Sequence, residues 1–114
     1  MYKIQRLNTN TMVLADSLTE AESIARGDAT MNKTALVISE QRGGRWYRIK
    51  ATSKDYEIIP CSQGYEIREK NGKRWMYLSK VYNSKYEWSA DYLYSKKYKT
   101  FEAALAVFKR LVFL

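Results

Sequence analysis

The chain has 114 residues, of which 46% are apolar and 28% charged, a composition typical of one globular domain that excludes a disordered polypeptide. It carries 20 Lys and Arg against 12 Asp and Glu, and the net charge of +8 favours contact with a polyanion or an acidic protein surface. No segment approaches the ~20 apolar residues of a membrane span or the apolar run of a signal peptide, so we expect a cytoplasmic protein (host-cell cytoplasm if viral) with no membrane partner.

The N-terminal stretch predicts two short extended segments. Tyr2–Leu7 has the pattern of a strand, and Asn8–Thr11 that of a polar turn. Met12–Ala15 is either a second short strand or the entry to a helix.

A helix should follow this segment. Ser17 and Glu20 form a capping box, in which each side chain satisfies a free amide of the first turn. Apolar residues then recur at helical spacing, at Leu18, Ala21, Ile24 and Ala25. The pattern predicts an amphipathic helix of about three turns that ends near Gly27 or Asp28.

The middle of the chain predicts hairpins. Gly43-Gly44 separates Thr34–Gln41 from Arg45–Thr52, and glycines at both loop positions allow the positive φ of a two-residue turn. Tyr56–Pro60 predicts a short strand that Pro60 ends, because proline cannot donate to a ladder.

Further strands are predicted around two more turns. Within Gly64–Tyr82, Asn71-Gly72 is the strongest short hairpin signal. Asn83-Ser84 then predicts the turn into a last strand, Lys85–Ala90.

The C-terminal segment predicts the clearest helix. Thr100 can cap it, and one apolar face is formed by Phe101, Ala104, Leu105, Phe108, Leu111 and Val112. No linker interrupts the chain, so we expect a single α+β domain over residues 1–114: an antiparallel sheet built from hairpins, with two helices, the C-terminal one packed on one sheet face. The terminal Leu111–Leu114 either covers the core or pairs with a second copy in a homodimer.

Two-residue turns predict which face each side chain takes. A turn at Asn71-Gly72 pairs Lys70 with Lys73 and Arg68 with Trp75. Alternation then places one set on the core face, namely Tyr65, Ile67, Met76 and Leu78. The opposite face receives Glu66, Arg68, Lys70, Lys73, Trp75 and Tyr77.

The same reasoning applies at Gly43-Gly44. It pairs Glu40 with Tyr47, Ile38 with Ile49 and Leu36 with Ala51 on one face. The other face receives Val37, Ser39, Gln41, Trp46, Arg48 and Lys50. In both hairpins a tryptophan therefore lies among cations.

Such a tryptophan has two interpretations. Its ring can pack under long cationic stems or against another part of the chain, or it can belong to a basic-aromatic surface that stacks bases or anchors a protein. Lys96, Lys97 and Lys99 precede the last helix, either as a solvated loop or as an extension of that surface. The candidate nucleic-acid or partner-binding residues are Trp46, Arg48, Lys50, Arg68, Lys70, Lys73, Trp75, Tyr77, Lys96, Lys97 and Lys99.

Several kinds of chemistry lack their usual residues. The chain has no histidine, no Gly-rich phosphate loop and no nucleophile elbow. Cys61 is the only cysteine, so neither an intramolecular disulfide nor a multi-cysteine metal site is available, and a packing role is expected for it. We expect no enzymatic activity, no cofactor and no metal.

Near the C-terminus, Trp88-Ser89-Ala90-Asp91 is followed by the helix start Tyr98–Ala104. In this pattern the segment Lys73–Leu111 resembles small accessory proteins of tailed bacteriophages. The resemblance implies a viral accessory role directed at host machinery or defence. The order of strands and then a helix also looks like the three-stranded DNA-binding domains at the N-termini of tyrosine recombinases, which implies contact through Arg68, Lys70, Lys73 and Trp75.

Two functions follow as hypotheses. The first is a non-enzymatic module that binds DNA or RNA through a basic-aromatic sheet face. It is favoured by a net charge of +6 after Glu57 (eleven cations, five carboxylates) against +2 up to and including Glu57 (nine cations, seven carboxylates). The second is a phage-encoded inhibitor, of the anti-restriction or anti-CRISPR type, that binds an acidic surface of a host nuclease, polymerase or defence complex.

Overall fold

The computed structural model describes residues 1–113, and these form eight strands and two α-helices, as the predicted α+β class requires. The strands are β1 (Tyr2–Arg6), β2 (Met12–Ala15), β3 (Leu36–Arg42), β4 (Arg45–Thr52), β5 (Tyr56–Cys61), β6 (Gly64–Asn71), β7 (Arg74–Tyr82) and β8 (Lys85–Ser89). The helices are α1 (Leu18–Asn32) and α2 (Phe101–Phe113), with a short 3₁₀ helix at Tyr92–Tyr94.

The chain divides into two compact units, Met1–Lys54 (unit 1) and Asp55–Leu114 (unit 2). Each contains four strands and one α-helix, and the pairings within each are antiparallel. The expectation of a single domain stays a prediction, because compact units can belong to one domain or to two.

Unit 1 is a sheet in the order β2-β1-β3-β4, with α1 on one face. Its core joins strand residues to a stripe of alanines on the helix: Ile4, Ala15, Leu36, Ile38 and Ile49 meet Ala21, Ala25 and Ala29. Alanine at every fourth position lets the helix backbone approach the sheet closely.

The start and end of α1 differ in how well they were predicted. Ser17 Oγ accepts from the Glu20 amide at 3.1 Å, which confirms the cap, while Glu20 Oε2 accepts from the Asp16 amide at 3.4 Å. The predicted end near Gly27 is wrong, since the helix runs to Asn32 and stops at Lys33 with φ 49°. The apolar stripe continues to Ala29, and its burial outweighs the helix cost of one glycine.

The β3–β4 hairpin turns at Gly43-Gly44, with φ of 55° and 80°, as predicted. Glu40 lies opposite Tyr47, also as predicted, but a bulge between Ile38 and Ser39 then changes the register. Ile38 lies opposite Lys50 and Leu36 opposite Thr52, so the predicted pairs Ile38–Ile49 and Leu36–Ala51 are wrong. The bulge inserts one residue in β4 and exchanges the faces of the residues beyond it.

Unit 2 is the meander β5-β6-β7-β8, with α2 packed against β5 and β6. Ile58, Ile67, Leu78 and Phe108 are fully buried in it. The predicted helix stripe is confirmed: Phe101, Ala104, Leu105 and Phe108 are buried, and Leu111 and Val112 half-buried. In the terminal segment Phe113 is 54% exposed, and Leu114 lies outside the described residues.

The β6–β7 turn is displaced from its predicted position. Asn71 pairs with Arg74, so the loop is Gly72-Lys73 and the predicted pairs Lys70–Lys73 and Arg68–Trp75 are wrong. Gly72, with φ 63°, holds the first loop position, where a type II′ turn requires glycine. Because each pair shifts by two residues, every side chain keeps its predicted face.

A strap from Ser95 to Tyr98 crosses back to the start of β6. The amides and carbonyls of Tyr65 and Tyr98 exchange two hydrogen bonds of 2.8 Å. Tyr65 also lies opposite Pro60. Because both main-chain groups of Tyr65 are bonded to Tyr98, the missing N–H of Pro60 costs no hydrogen bond to β6, and β5 continues past the predicted end to Cys61. Gly64 (φ 123°) makes the crossing feasible, because a Cβ there would lie 2.1 Å from the Tyr98 carbonyl oxygen.

Candidate nucleic-acid interface

The sheet face of unit 1 that points away from α1, here the outer face, carries a row of side chains across four strands. Lys3 of β1 lies between Leu14 of β2 and Ser39 of β3, and Ser39 lies opposite Arg48 of β4. Alternation along each strand sets this row, because Ile4 and Ile38 point to the helix.

Trp46 stands beside this row and is 36% exposed. The Lys3 Nζ lies 5.0 Å from the centre of the Trp46 ring, within the range of a cation–π contact. An open concavity of about 260 Å³ adjoins the pair, and its lining includes Lys3, Gln5, Ser39, Trp46 and Arg48. None of the ten lining residues is acidic, so the concavity suits an anion with a planar part.

Lys50 does not belong to this surface, and its predicted place beside Trp46 and Arg48 is wrong. The bulge turns Lys50 to the side of α1, where its Nζ lies 2.5 Å from Glu22 Oε2. Its side chain is only 13% exposed. It joins β4 to the helix.

Arg6 is likewise held towards α1. Its Nε and Nη2 donate to the two carboxylate oxygens of Asp28, at 2.8 and 2.7 Å. The hydrogen bonds from Arg6 lower the pKa of Asp28, and the same pair raises the pKa of Arg6.

In unit 2, Arg68 and Trp75 share the face opposite α2, as predicted, but they contact each other and a carboxylate. Arg68 Nη2 donates to Glu57 Oε1 at 2.7 Å, and the guanidinium carbon lies 3.9 Å from the centre of the Trp75 ring. The side chains of Arg68 and Glu57 are 15% and 4% exposed. This pair neutralises the centre of the predicted platform.

A second carboxylate on the same face holds the strap. Glu66 Oε2 accepts from Ser95 Oγ at 2.6 Å and from Lys97 Nζ at 2.7 Å. Beside it, Tyr77 meets Tyr92 edge to face at 6.4 Å between ring centres. Lys97 is therefore an anchor of the strap, and Tyr77 is half-buried.

The other predicted cations of unit 2 are exposed, namely Lys70, Lys73, Lys96 and Lys99. Lys70 and Lys73 lie at the tip of the β6–β7 hairpin together with Arg74, which the sequence prediction did not include. Lys96 Nζ lies 5.6 Å from the centre of the Tyr98 ring. These lysines form a tip and a strap edge rather than a continuous track.

The Tyr98 ring itself faces the interior of unit 2. Its hydroxyl is buried without a hydrogen-bond partner in residues 1–113, and burial raises its pKa. Burial also raises the pKa of Tyr56, with a smaller contribution from the Glu69 carboxylate.

The two units carry the same net charge. Unit 1 has nine cations and five carboxylates, and unit 2 has eleven and seven, which gives +4 each. The predicted C-terminal excess resulted from counting Asp55 and Glu57 with the first half, whereas both belong to unit 2.

Sequence reasoning missed Lys3 and Gln5 as members of the outer face. Alternation in Tyr2–Leu7 was the available signal, because it places both on the side opposite Ile4. Within residues 1–113, no three His, Cys, Asp or Glu side chains are grouped as a metal site requires. Neither helix is long and apolar enough to cross a membrane, again for the described residues.

Comparisons with known proteins gave no relatives: no family model, no curated protein and no solved structure matches the chain.

Proposed function

We propose that this protein is a non-enzymatic module that binds single-stranded DNA or RNA on the outer face of unit 1. One observation carries the proposal: Trp46, 36% exposed, lies under the Lys3 ammonium at the edge of a concavity whose lining contains cations and no carboxylate. An accessible aromatic ring beside cations is what binds a base and its phosphate without reading sequence.

A single strand suits this surface better than a duplex. The bases of a single strand are free to stack on a side-chain ring, whereas those of a duplex are stacked on one another. Trp46 offers its exposed surface to a base, and Lys3 and Arg48, two strands or about 9.6 Å apart across the sheet, contact phosphates.

The contrast between the units supports this location. The Trp75 ring in unit 2 is covered by Arg68, whose charge is paired with Glu57. The exposed lysines at the β6–β7 tip can add phosphate contacts of their own, but the ring opposite Lys70 is that of Trp75, which is half-buried and already contacts Arg68.

The proposal is tested by titrating the protein with a fluorescent single-stranded oligonucleotide at two salt concentrations. Trp46→Ala should weaken binding about 5- to 150-fold, because stacking contributes ~1–3 kcal/mol per base. Lys3→Ala and Arg48→Ala should weaken binding and each lower the salt slope by up to ~0.7.

Matched controls lie on α1 and α2. Arg26→Ala and Lys109→Ala each remove one positive charge, as Arg48→Ala and Lys3→Ala do, but from exposed helix positions. They should leave the affinity for the oligonucleotide within about twofold of wild type. Oligonucleotide binding that Trp46→Ala leaves unchanged, or no binding at low salt, would overturn the proposal.

A second candidate function is supported by a different surface. The 3₁₀ helix of unit 2 exposes three consecutive large residues, Tyr92, Leu93 and Tyr94, by 59%, 71% and 70%. Exposed Lys96 follows them, so an apolar centre has a basic residue at its rim. This arrangement favours the protein-binding inhibitor, directed at an acidic surface of a host nuclease, polymerase or defence complex.

Affinity capture from nuclease-treated bacterial lysate tests the second candidate. The protein should retain a stoichiometric acidic partner, and Leu93→Ser should lose it. Trp46→Ala is the control that keeps the partner, because it changes the other unit. Retention by Leu93→Ser would contradict binding through the 3₁₀ helix.

A further inference from the structure

Strand β2 forms one edge of the unit 1 sheet and is unusually apolar for an edge. It pairs with β1 on one side, through Met12–Ala15, and lies at the end of the strand order. Met12, Val13 and Leu14 are 56%, 47% and 50% exposed. Edge strands are ordinarily protected by short length, charge, proline or a bulge, and β2, although only four residues long, carries no charge, proline or bulge.

Charge indicates which partner this edge accepts. The nine residues from Leu7 to Ala15 carry no charge, in a chain whose net charge is +8. A different protein with an acidic surface would be attracted to the positively charged surfaces of this chain and not to its neutral edge. Two copies of a basic protein, in contrast, repel each other least where both surfaces are neutral. We propose that β2 pairs with β2 of a second copy to form an antiparallel, two-fold symmetric dimer.

Side-chain alternation sets the register of this pairing. A two-fold axis perpendicular to the sheet places β2 beside β2 of the second copy and makes each face of one sheet continuous with the same face of the other. Residues that lie opposite each other across the two β2 strands must therefore belong to the same face. Val13 lies opposite Ile4 and thus on the α1 side, while Met12 and Leu14 lie on the outer side. One register meets this condition and places the apolar residues at the centre of the pairing. In it, Val13 lies opposite the partner's Val13, and Met12 lies opposite the partner's Leu14.

The α1 side of this edge also offers a receiving surface. A mainly apolar pocket of about 270 Å³ is lined by Val13, Ile4, Ile24 and Leu36, with Arg6 and Asp28 at its polar end. The two Val13 side chains would meet beside two such pockets, one in each copy. Apolar area would therefore be buried on both faces of the joined sheet.

Sedimentation equilibrium from about 1 to about 300 μM tests the dimer. Met12→Lys places a charge on the edge and should weaken dimerisation at least about tenfold, as an edge lysine does. Met31→Lys is the matched control: it makes the same substitution on α1, at a residue 83% exposed, and should leave the dimer intact. Higher salt should strengthen the wild-type dimer, because it screens repulsion between like charges.

Disulfide trapping provides a second measurement that does not depend on Met12→Lys folding. In a Cys61→Ser chain, Val13→Cys should form an intermolecular disulfide much faster than Met31→Cys, since facing residues of paired strands bring Cβ atoms about 5 Å apart. A wild-type monomer at all concentrations, equal dimerisation of the two lysine variants, or equal trapping at the two cysteines would overturn the proposal.

Discussion

Arg68 lies with its guanidinium carbon 3.9 Å from the centre of the Trp75 ring. The same guanidinium binds Glu57, whose side chain is only 4% exposed. The Trp75 ring thus packs against the Arg68–Glu57 ion pair. We assign this cluster to stability rather than to partner binding.

Removing Arg68 tests that assignment. Arg68→Met should lower the free energy of unfolding by roughly 2–4 kcal/mol, because it leaves the buried Glu57 carboxylate without this cation and removes the ring contact. Urea unfolding followed by circular dichroism measures the loss. Lys70→Met, on the same strand and face but exposed, should stay within about 0.5 kcal/mol of wild type. Equal losses from the two variants would contradict the assignment.

Gly64 should be intolerant of any side chain. Gly64→Ala would place a Cβ 2.1 Å from the Tyr98 carbonyl oxygen at a φ of 123°, so either the strap or β6 must move. We expect a loss above about 2 kcal/mol by thermal unfolding. Gly72→Ala is the comparison: with φ 63° and no atom within 4 Å, it should cost only the backbone strain of about 1–2 kcal/mol and should be the milder of the two substitutions. A smaller loss at Gly64 than at Gly72 would refute the close approach.

The Arg6–Asp28 pair predicts a pH dependence of stability. Because Arg6 lowers the folded-state pKa of Asp28, the pair stabilises unit 1 above the unfolded pKa of about 3.9 and loses this effect as pH falls through the lower folded value. Asp28→Asn should therefore be less stable than wild type near neutral pH, with a gap that narrows below about pH 4. In an Arg6→Met background the gap should shrink and its pH dependence should weaken, leaving the smaller effect of the hydrogen bond from Asn32 on the Asp28 pKa.

Lys50 should matter for stability and not for nucleic-acid binding. Lys50→Ala removes the Glu22 contact under α1 and should destabilise unit 1 by roughly 1 kcal/mol, while leaving oligonucleotide affinity within about twofold. Arg48→Ala, two residues away on the outer face, should by contrast weaken oligonucleotide binding. Fluorescence anisotropy and urea unfolding of both variants separate the two roles. Weakened binding by Lys50→Ala, with unit 1 still folded, would contradict its placement.

Most strands, helices and turns could be predicted from the sequence, because each of them depends mainly on residues that are close together in the chain. Strands β3 and β4, the turn at Gly43-Gly44 and the α2 stripe are confirmed, since turn chemistry and periodicity act over a few residues. The displacement of the turn to Gly72-Lys73 left the predicted faces of β6 and β7 correct, because a two-residue shift in pairing preserves the faces. The bulge beside Ile38 moved Lys50 to the other face, and no residue in Arg45–Thr52 signals it.

The electrostatic partners could not be predicted in the same way. Glu57 and Arg68 are 11 residues apart and Glu66 and Lys97 are 31 apart, on segments that only the tertiary structure brings together. Periodicity identified a face with Arg68 and Glu66 on it, but not which cations the carboxylates would bind. The candidate site therefore moved to the outer face of unit 1, where Trp46 and Arg48 were predicted and Lys3 was not.

The strap from Ser95 to Tyr98 constrains when unit 2 can finish folding. Tyr98 supplies the main-chain partners of Tyr65, and Lys97 supplies a cation for Glu66, so β6 depends on residues made late in synthesis. A chain still on the ribosome can pair β6 with β5 and form the β6–β7 turn, but the other side of the start of β6 stays unpaired until the strap is made. A nascent chain stalled before Ser95 would thus present a free strand edge, a state that favours chaperone binding and aggregation.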